Sequence, residues 1–311
     1  MRMRQRGLAA VTALLIVAVA ASAAALMLSQ QSAMLDQTAM VASRAQADAY
    51  AQAGFDWARG VLAEDGRSAG DVDSLREGWA QPIAALPVER AVVSGLIEDE
   101  QGKFNLNNLV DPSSGQPRAR DVTIFRQLLV QLDLDPGLAD AVVDWVDANA
   151  DLFGAAGAED AYYLALPRPH RAANQAMLQP EELYRVKGFD AKIVARVRPH
   201  VTALPATARS KVNVNTATRP LLAALLAGAE GDAAQLIVER RTTRPFANRN
   251  DIVDAVKQPG LTGTIDGDMD VKSAFFQVRV QVAQDDVHLA ADALVQRKKD
   301  AVSLVWRRPR F

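Results

Sequence analysis

The chain has 311 residues, almost half of them hydrophobic, with a formal net charge of −2 and no cysteine. That length supplies material for two folded units beyond any membrane segment. The near-neutral balance excludes a global field that would draw the protein to nucleic acid or an acidic substrate, and the missing thiols exclude disulfides and cysteine catalysis together.

Residues 8–28 form an uncharged apolar run behind the basic leader MRMRQRG. At roughly 1.5 Å per residue, a helix of that length just spans a bilayer core of about 30 Å. Arg2, Arg4 and Arg6 precede the run, which predicts a cytoplasmic N-terminus with everything after Leu28 outside. A cleaved secretory signal suits the same basic flank and the small residues from Ser22 to Ala25. The length of the run, and a helical pattern that continues past it, favour a retained anchor. No Gly or Pro falls between Leu8 and Ala53, and Met34, Val41, Ala45 and Ala49 lie near one face. This predicts one helix of about 45 residues, half in the membrane and half outside.

Phe55 to Glu64 continue the helical pattern, and Gly66, Gly70, Gly78 and Pro82 then break it into a loop. Ala91 to Glu98 read as a strand. The sequence KFNLNN at Lys103–Asn108 recurs as KVNVNT at Lys211–Thr216. Both alternate as strands do, each ends in a residue suited to cap the next helix, and we read them as paired edges of an insertion. Helices are predicted at Val122–Leu132, Leu138–Val146, Arg219–Ala227, Ala233–Arg241 and Asn250–Val256. Pro180–Asp190 reads as a helix and a Gly188-centred turn, with a second helix running to about Arg198. From Phe276 onward, apolar and polar residues alternate in three runs separated by turns, which predicts an antiparallel meander. A long helix against a sheet is the economical packing.

The most specific chemistry lies between Asp144 and Asn174. Asp147-x-Asn149-x-Asp151 is similar to the opening of an EF-hand, whose alternate oxygens suit calcium, but Leu152 replaces the sixth-position Gly and Ala158 the twelfth-position Glu. Glu159 follows one residue late, with Asp160 next to it. Spacing alone leaves this loop open between a cation site and a solvated acidic turn, and Asp266, Asp268 and Asp270 open between a second ion and a hydrated loop. His170, His200 and His288 lie far apart, and no nucleophile elbow or phosphate loop is present, so no catalytic residues are assigned. The turn at Gly188 also resembles helix-hairpin-helix DNA-binding proteins of DNA-uptake systems. Asp190 disfavours phosphate there, and no nucleic-acid partner is expected.

Gly7 followed directly by an apolar helix resembles the type IV prepilin signal, which implies cleavage by prepilin peptidase and Leu8 as the mature N-terminus. Thr12 stands where that family carries Glu. The motifs Asp144-Trp145-x-Asp147, Gly157-Ala158-Glu159-Asp160-x-Tyr162-Tyr163, Arg171-Ala172-Ala173-Asn174, Glu182-Leu183-x-x-Val186-x-Gly188-Phe189-Asp190 and Asn213–Ala217 resemble the minor pseudopilin K family of the type II secretion system. The resemblance implies an α+β fold: a pilin-like long helix packed on an antiparallel sheet, with a large all-helical domain inserted. The corresponding divisions are leader 1–7, membrane helix 8–28, pilin-like domain 29–108 (first part), inserted helical domain 109–209, helical continuation 210–270 and terminal sheet 271–311. It also implies bound calcium, with Asp144, Asp147, Asn149, Asp151, Glu159 and Asp160 as candidate ligands and Asn174 beside them, and no enzymatic activity. The implied partners are minor pseudopilins I and J in a tip complex, the major pseudopilin, and the inner-membrane assembly platform. The implied location is the inner membrane, with the bulk in the periplasm.

Overall fold

The computed structural model describes residues 3–68, 72–205, 208–227, 233–256, 267–299 and 301–310. Helix α1 runs unbroken from Met3 to Ser68, 66 residues and so roughly 100 Å long. It passes through Gly54, Gly60 and Gly66, beyond the length expected from the sequence. An interior Gly weakens a helix by only about 0.5–1 kcal/mol, and Gly54 lies where a Cβ would come within 3.1 Å of Val280 on the sheet. Packing therefore offsets propensity. The apolar part has a mean hydropathy of 2.5 with none of its residues buried. The face that packs is Ala47, Ala51, Phe55, Ala58 and Leu62, not Met34, Val41, Ala45 and Ala49, which are exposed. In an alanine-rich stretch several faces satisfy helical periodicity, and Phe55 and Leu62 mark the one that is buried.

Beyond α1 come β1 (Ile83–Val88) and β2 (Ala91–Asp99). The first was not expected from the sequence, where Gly78 and Pro82 read as loop. Then follow β3 (Phe104–Asn105), α2 (Ala119–Gln131), α3 (Leu138–Val146), α4 (Asp160–Tyr163), α5 (Ala191–Val197) and β4 (Val201–Thr202). Next are β5 (Val212–Asn213), α6 (Arg219–Leu225), α7 (Ala233–Thr243), α8 (Arg249–Val256) and β6 (Met269–Asp270). The chain ends in β7 (Phe275–Gln284), β8 (Val287–Lys298) and β9 (Ala301–Arg310). Pro180–Arg185 forms a 3-10 helix rather than an α-helix.

The predicted meander is β7, β8 and β9. It joins β1 and β2 in a five-stranded sheet of order β1-β2-β7-β8-β9. Neighbouring strands are antiparallel, and α1 buries its small-residue face on Val278, Val280, Val282, Ala291 and Ala293.

Among the described residues, those between β2 and β7 form an inserted, mainly helical body. Its buried apolar side chains form one cluster from Phe104 to Val271, with no break at residue 209, except Leu204, which packs on Phe275 and Leu294 of the sheet. The two repeated motifs do not pair with each other: β3 pairs in parallel with β4, and β5 with β6. Alternation identifies a strand but not its partner. The capping residue is also not the last of each motif but the third, since Asn105 and Asn213 accept the amides of Asn107 and Asn215 at 3.1 and 3.0 Å.

The body leaves the sheet where Asp99 and Phe276 are register partners. At the opposite end of the same strands, Gln284 donates to Gln46 low on α1 (2.7 Å), whereas Arg297 near the junction meets Asp65 at the top of α1 (2.7 Å). The helical body thus sits on the end of the sheet farthest from the apolar segment.

Candidate cation centre and family assignment

Helix α3 sets out two carboxylates one turn apart, Asp140 and Asp144, on the face that meets the following loop. Asp144 is fully buried and accepts from the amides of Phe153 (2.8 Å) and Ala158 (2.6 Å). Asp140 bonds Arg126 (2.6 Å) and the amide of Ala156 (3.3 Å). The loop can approach this closely because Gly154, at φ +68°, and Gly157 carry no side chain, and a Cβ on either would collide with the two carboxylates. The clamped loop returns Glu159 to the C-terminal end of α3, where Asp147 stands.

There the hydrogen bonding runs out. Asp147 Oδ1, both oxygens of Glu159 and Asn174 Oδ1 are buried with no partner. Burial, then the charge of Asp144, pushes the Asp147 carboxyl up to about 6. Burial and the charges of Asp144 and Asp147 push Glu159 up to about 7. Buried oxygens without donors are costly, by about 1–3 kcal/mol each and more when charged. Four such oxygens from three segments suit a hard divalent cation, which takes oxygen ligands and cross-links the loop that supplies them.

The remaining candidates have other duties. Asp144 positions the loop. Asn149 donates to Asp147 Oδ2 (3.0 Å), accepts the amide of Asp151 (2.7 Å), and through its carbonyl holds Asn174 (3.0 Å). Asp151 is exposed, and Asp160 accepts the amide of Ala172 (3.0 Å). Asp147 and Glu159, singled out in the sequence because carboxylates cluster there, are the two whose buried oxygens lack partners, whereas Asp144 and Asp160 are engaged by backbone amides.

The second acidic run does not gather in the same way. Asp268 is held by Arg120 (2.8 Å) and Arg209 (2.6 Å), so its charge is already matched, and Asp270 faces Lys211 at 4.0 Å. Asp266 lies outside the described residues. One acidic group was not anticipated: Asp65, Asp73 and Glu77 converge across the junction, but Arg297 bonds both aspartates. At the Gly188 turn, the amides of Lys187 and Phe189 are taken by Tyr163 and Val186, and Asp190 caps α5. A Cβ at Gly188 would come within 2.5 Å of Leu138, and Phe189 is buried, while Gly188 and Asp190 themselves are exposed. Near the N-terminus, α1 runs through Gly7 and Leu8, and Thr12 Oγ1 bonds the carbonyls of Leu8 (3.1 Å) and Ala9 (3.0 Å), which satisfies it inside its own helix.

Among the described residues one helix is long and apolar enough to cross a membrane; packed on an antiparallel sheet, it makes the architecture that of a pilin-type subunit, here carrying a helical insertion. The models of the type II secretion system protein K family match residues 102–206 and 212–273. Type II secretion system protein K of Aeromonas hydrophila is 34% identical over 98% of this chain and 97% of the relative. That of Pseudomonas aeruginosa (strain PAO1) is 34% identical over 99% and 93%. The crystal structure of the GspK-GspI-GspJ complex from enterotoxigenic Escherichia coli contains a chain that superposes with a TM-score of 0.76 at 24% identity, over 88% of this chain and 99% of that one. The chain belongs to the type II secretion system protein K family and is a minor pseudopilin of type II secretion.

Proposed function

We propose that this chain is the tip subunit of a periplasmic pseudopilus, a non-enzymatic part that starts or caps the assembly together with minor pseudopilins I and J. The observation that carries this reading is the position of the helical body. It occupies the end of the sheet farthest from the membrane segment, where a further subunit would otherwise stack. A subunit with nothing above it also needs no carboxylate to meet a neighbour's N-terminal amine, and Thr12 supplies none. The choice of partners is supported by the similar chain from enterotoxigenic Escherichia coli, which crystallised in a complex with GspI and GspJ. In this reading prepilin peptidase cuts after Gly7, and Leu8 begins the mature chain in N-terminal mass spectrometry. The inner-membrane assembly platform then adds major pseudopilin below, for export of folded proteins across the outer membrane. Immunogold labelling of overproduced filaments tests the placement: label confined to ends is expected, and regular label along the shaft overturns it.

Calcium held by Asp147, Glu159 and Asn174 completes the proposal. Bound there, the ion supplies positive charge that lets both carboxylates stay ionised while buried. Thermal melts of the part beyond Ser29, with calcium or with chelator, should differ by several degrees, in line with about 1 kcal/mol or more of binding linkage. Glu159→Gln should abolish most of that difference. Equal melts, with no metal found by elemental analysis, would refute the site.

A further inference from the structure

Where the helical body meets the sheet, the surface folds into a cleft of about 470 Å³. That volume falls in the range of about 300–1,000 Å³ common for sites that take one small molecule. Separate stretches of chain form its walls: Gly66 near the end of α1, Arg209 and Lys211 of the helical body, Asp270 and Lys272 before β7, and Arg297 and Lys299 at the end of β8 and just after it. The turn that carries Lys299 is held against α1, because the missing side chain of Gly66 lets the Lys299 carbonyl approach to where a Cβ would stand 2.6 Å away. Five of the lining residues are basic and two acidic, a local surplus on a chain whose formal net charge is −2.

The two arginines are matched in charge. Arg209 holds Asp121 (2.7 Å) and Asp268 (2.6 Å), and Arg297 holds Asp65 (2.7 Å) and Asp73. The surplus therefore rests on the lysines. Lys211 stands 4.0 Å from Asp270, whose Oδ1 already accepts the amide of Val271 (2.9 Å). The ammonium of Lys299 has no partner among the described residues. Arg209 bonds its carboxylates through Nε and Nη2, which leaves Nη1 as a further donor. We propose that the cleft is an anion site for a small molecule bearing a phosphate group, held between Arg209 and Lys211 of the helical body and Lys299 of the sheet. A phosphate monoester carries about −1.5 to −2 charge at neutral pH and three acceptor oxygens. It can thus meet cations from separate walls at once, whereas a lone carboxylate brings a single charge in one plane. Ammonium and guanidinium groups bind such oxygens through charge-assisted hydrogen bonds. A ligand bound there would also tie the helical body to the sheet. The proposal does not depend on the tip placement.

Equilibrium dialysis of the full-length chain in detergent against radiolabelled inorganic phosphate, with ionic strength held constant by chloride, tests the site. Saturable uptake is expected. Lys299→Gln and Lys211→Gln should each weaken it by roughly tenfold, the loss of one charge-assisted bond, and Lys299→Arg should retain it. Both positions lie in turns or extended chain where a Gln fits as Lys does, and unchanged circular dichroism confirms that each variant is folded. Lys192→Gln, at an exposed lysine outside the lining, should leave uptake unchanged. Uptake that does not saturate, or that ignores the cleft variants, overturns the site. If hexaglutamate binds through Lys211 and Lys299 while phosphate does not, the cleft receives an acidic protein segment, and the small-molecule proposal is overturned equally.

Discussion

Asp99 closes the junction between sheet and helical body. Its Oδ2 accepts from Thr216 Oγ1 (2.5 Å), Ser273 Oγ (2.6 Å) and Asn213 Nδ2 (3.0 Å), and its Oδ1 from the amide of Gln101 (2.8 Å). Burial nevertheless pushes its carboxyl up to about 6. The folded chain then holds this proton more tightly than the unfolded chain does, so stability from Asp99 is fully present below about pH 4 and is lost as pH rises through about 6. The deficit of Asp99→Asn relative to the parent should therefore be larger at about pH 4.5 than at about pH 7.5, by about 2 kcal/mol in chemical denaturation. Comparing two proteins at each pH cancels the titration of Asp147 and Glu159. At this scale the sequence was legible where charges cluster, and Asp147 with Glu159 stood out for that reason. It was silent on Asp99 and Asp73, whose partners come from residues far along the chain.

Among the elements, α1 was legible as a helix but not in its length or its buried face. Its glycines look alike in sequence and differ in surroundings. A Cβ at Gly60 would meet nothing within 4 Å, whereas one at Gly66 would come within 2.6 Å of the Lys299 carbonyl at the β8–β9 turn. Gly60→Ala should accordingly stabilise by about 0.5–1 kcal/mol through helix propensity, and Gly66→Ala should destabilise by about 1–3 kcal/mol through overpacking. Paired melting curves of the two variants check both signs. The repeated KFNLNN and KVNVNT motifs were visible, but their use was not. Asn107 bonds both the amide and the carbonyl of Met177 (2.8 and 2.9 Å), and Asn215 does the same with Phe246 (2.8 and 3.0 Å). The repeat thus marks two successive helical units, each strapped to its own return segment by one asparagine, rather than two edges of one insertion.

For the whole molecule, the entry and exit strands of the helical body are hydrogen-bonded neighbours, Asp99 opposite Phe276. Replacing residues 100–274 with a short turn should leave the five-stranded sheet and α1 folded, because the cluster between α1 and the sheet draws no residue from the insertion and only Leu204 joins the small cluster with Phe275 and Leu294. Circular dichroism and protease resistance measure this, and the same variant should lose control of pilus initiation or length. Thr12→Glu, by contrast, should leave secretion of an exported enzyme nearly intact under the proposed tip placement, in which the subunit has no neighbour's amine to neutralise. The meander and the inserted character were legible because periodicity changes abruptly near residue 275; the register that brings residues 99 and 276 together was not, since pairing is a long-range choice. That register has a mechanical consequence. An axial thrust delivered through α1 reaches the head along two strands loaded side by side, while Arg297, pinned to Asp65 and Asp73, resists torsion about them. In the tip position proposed above, the head would thus be keyed to its rod like the crown of a piston.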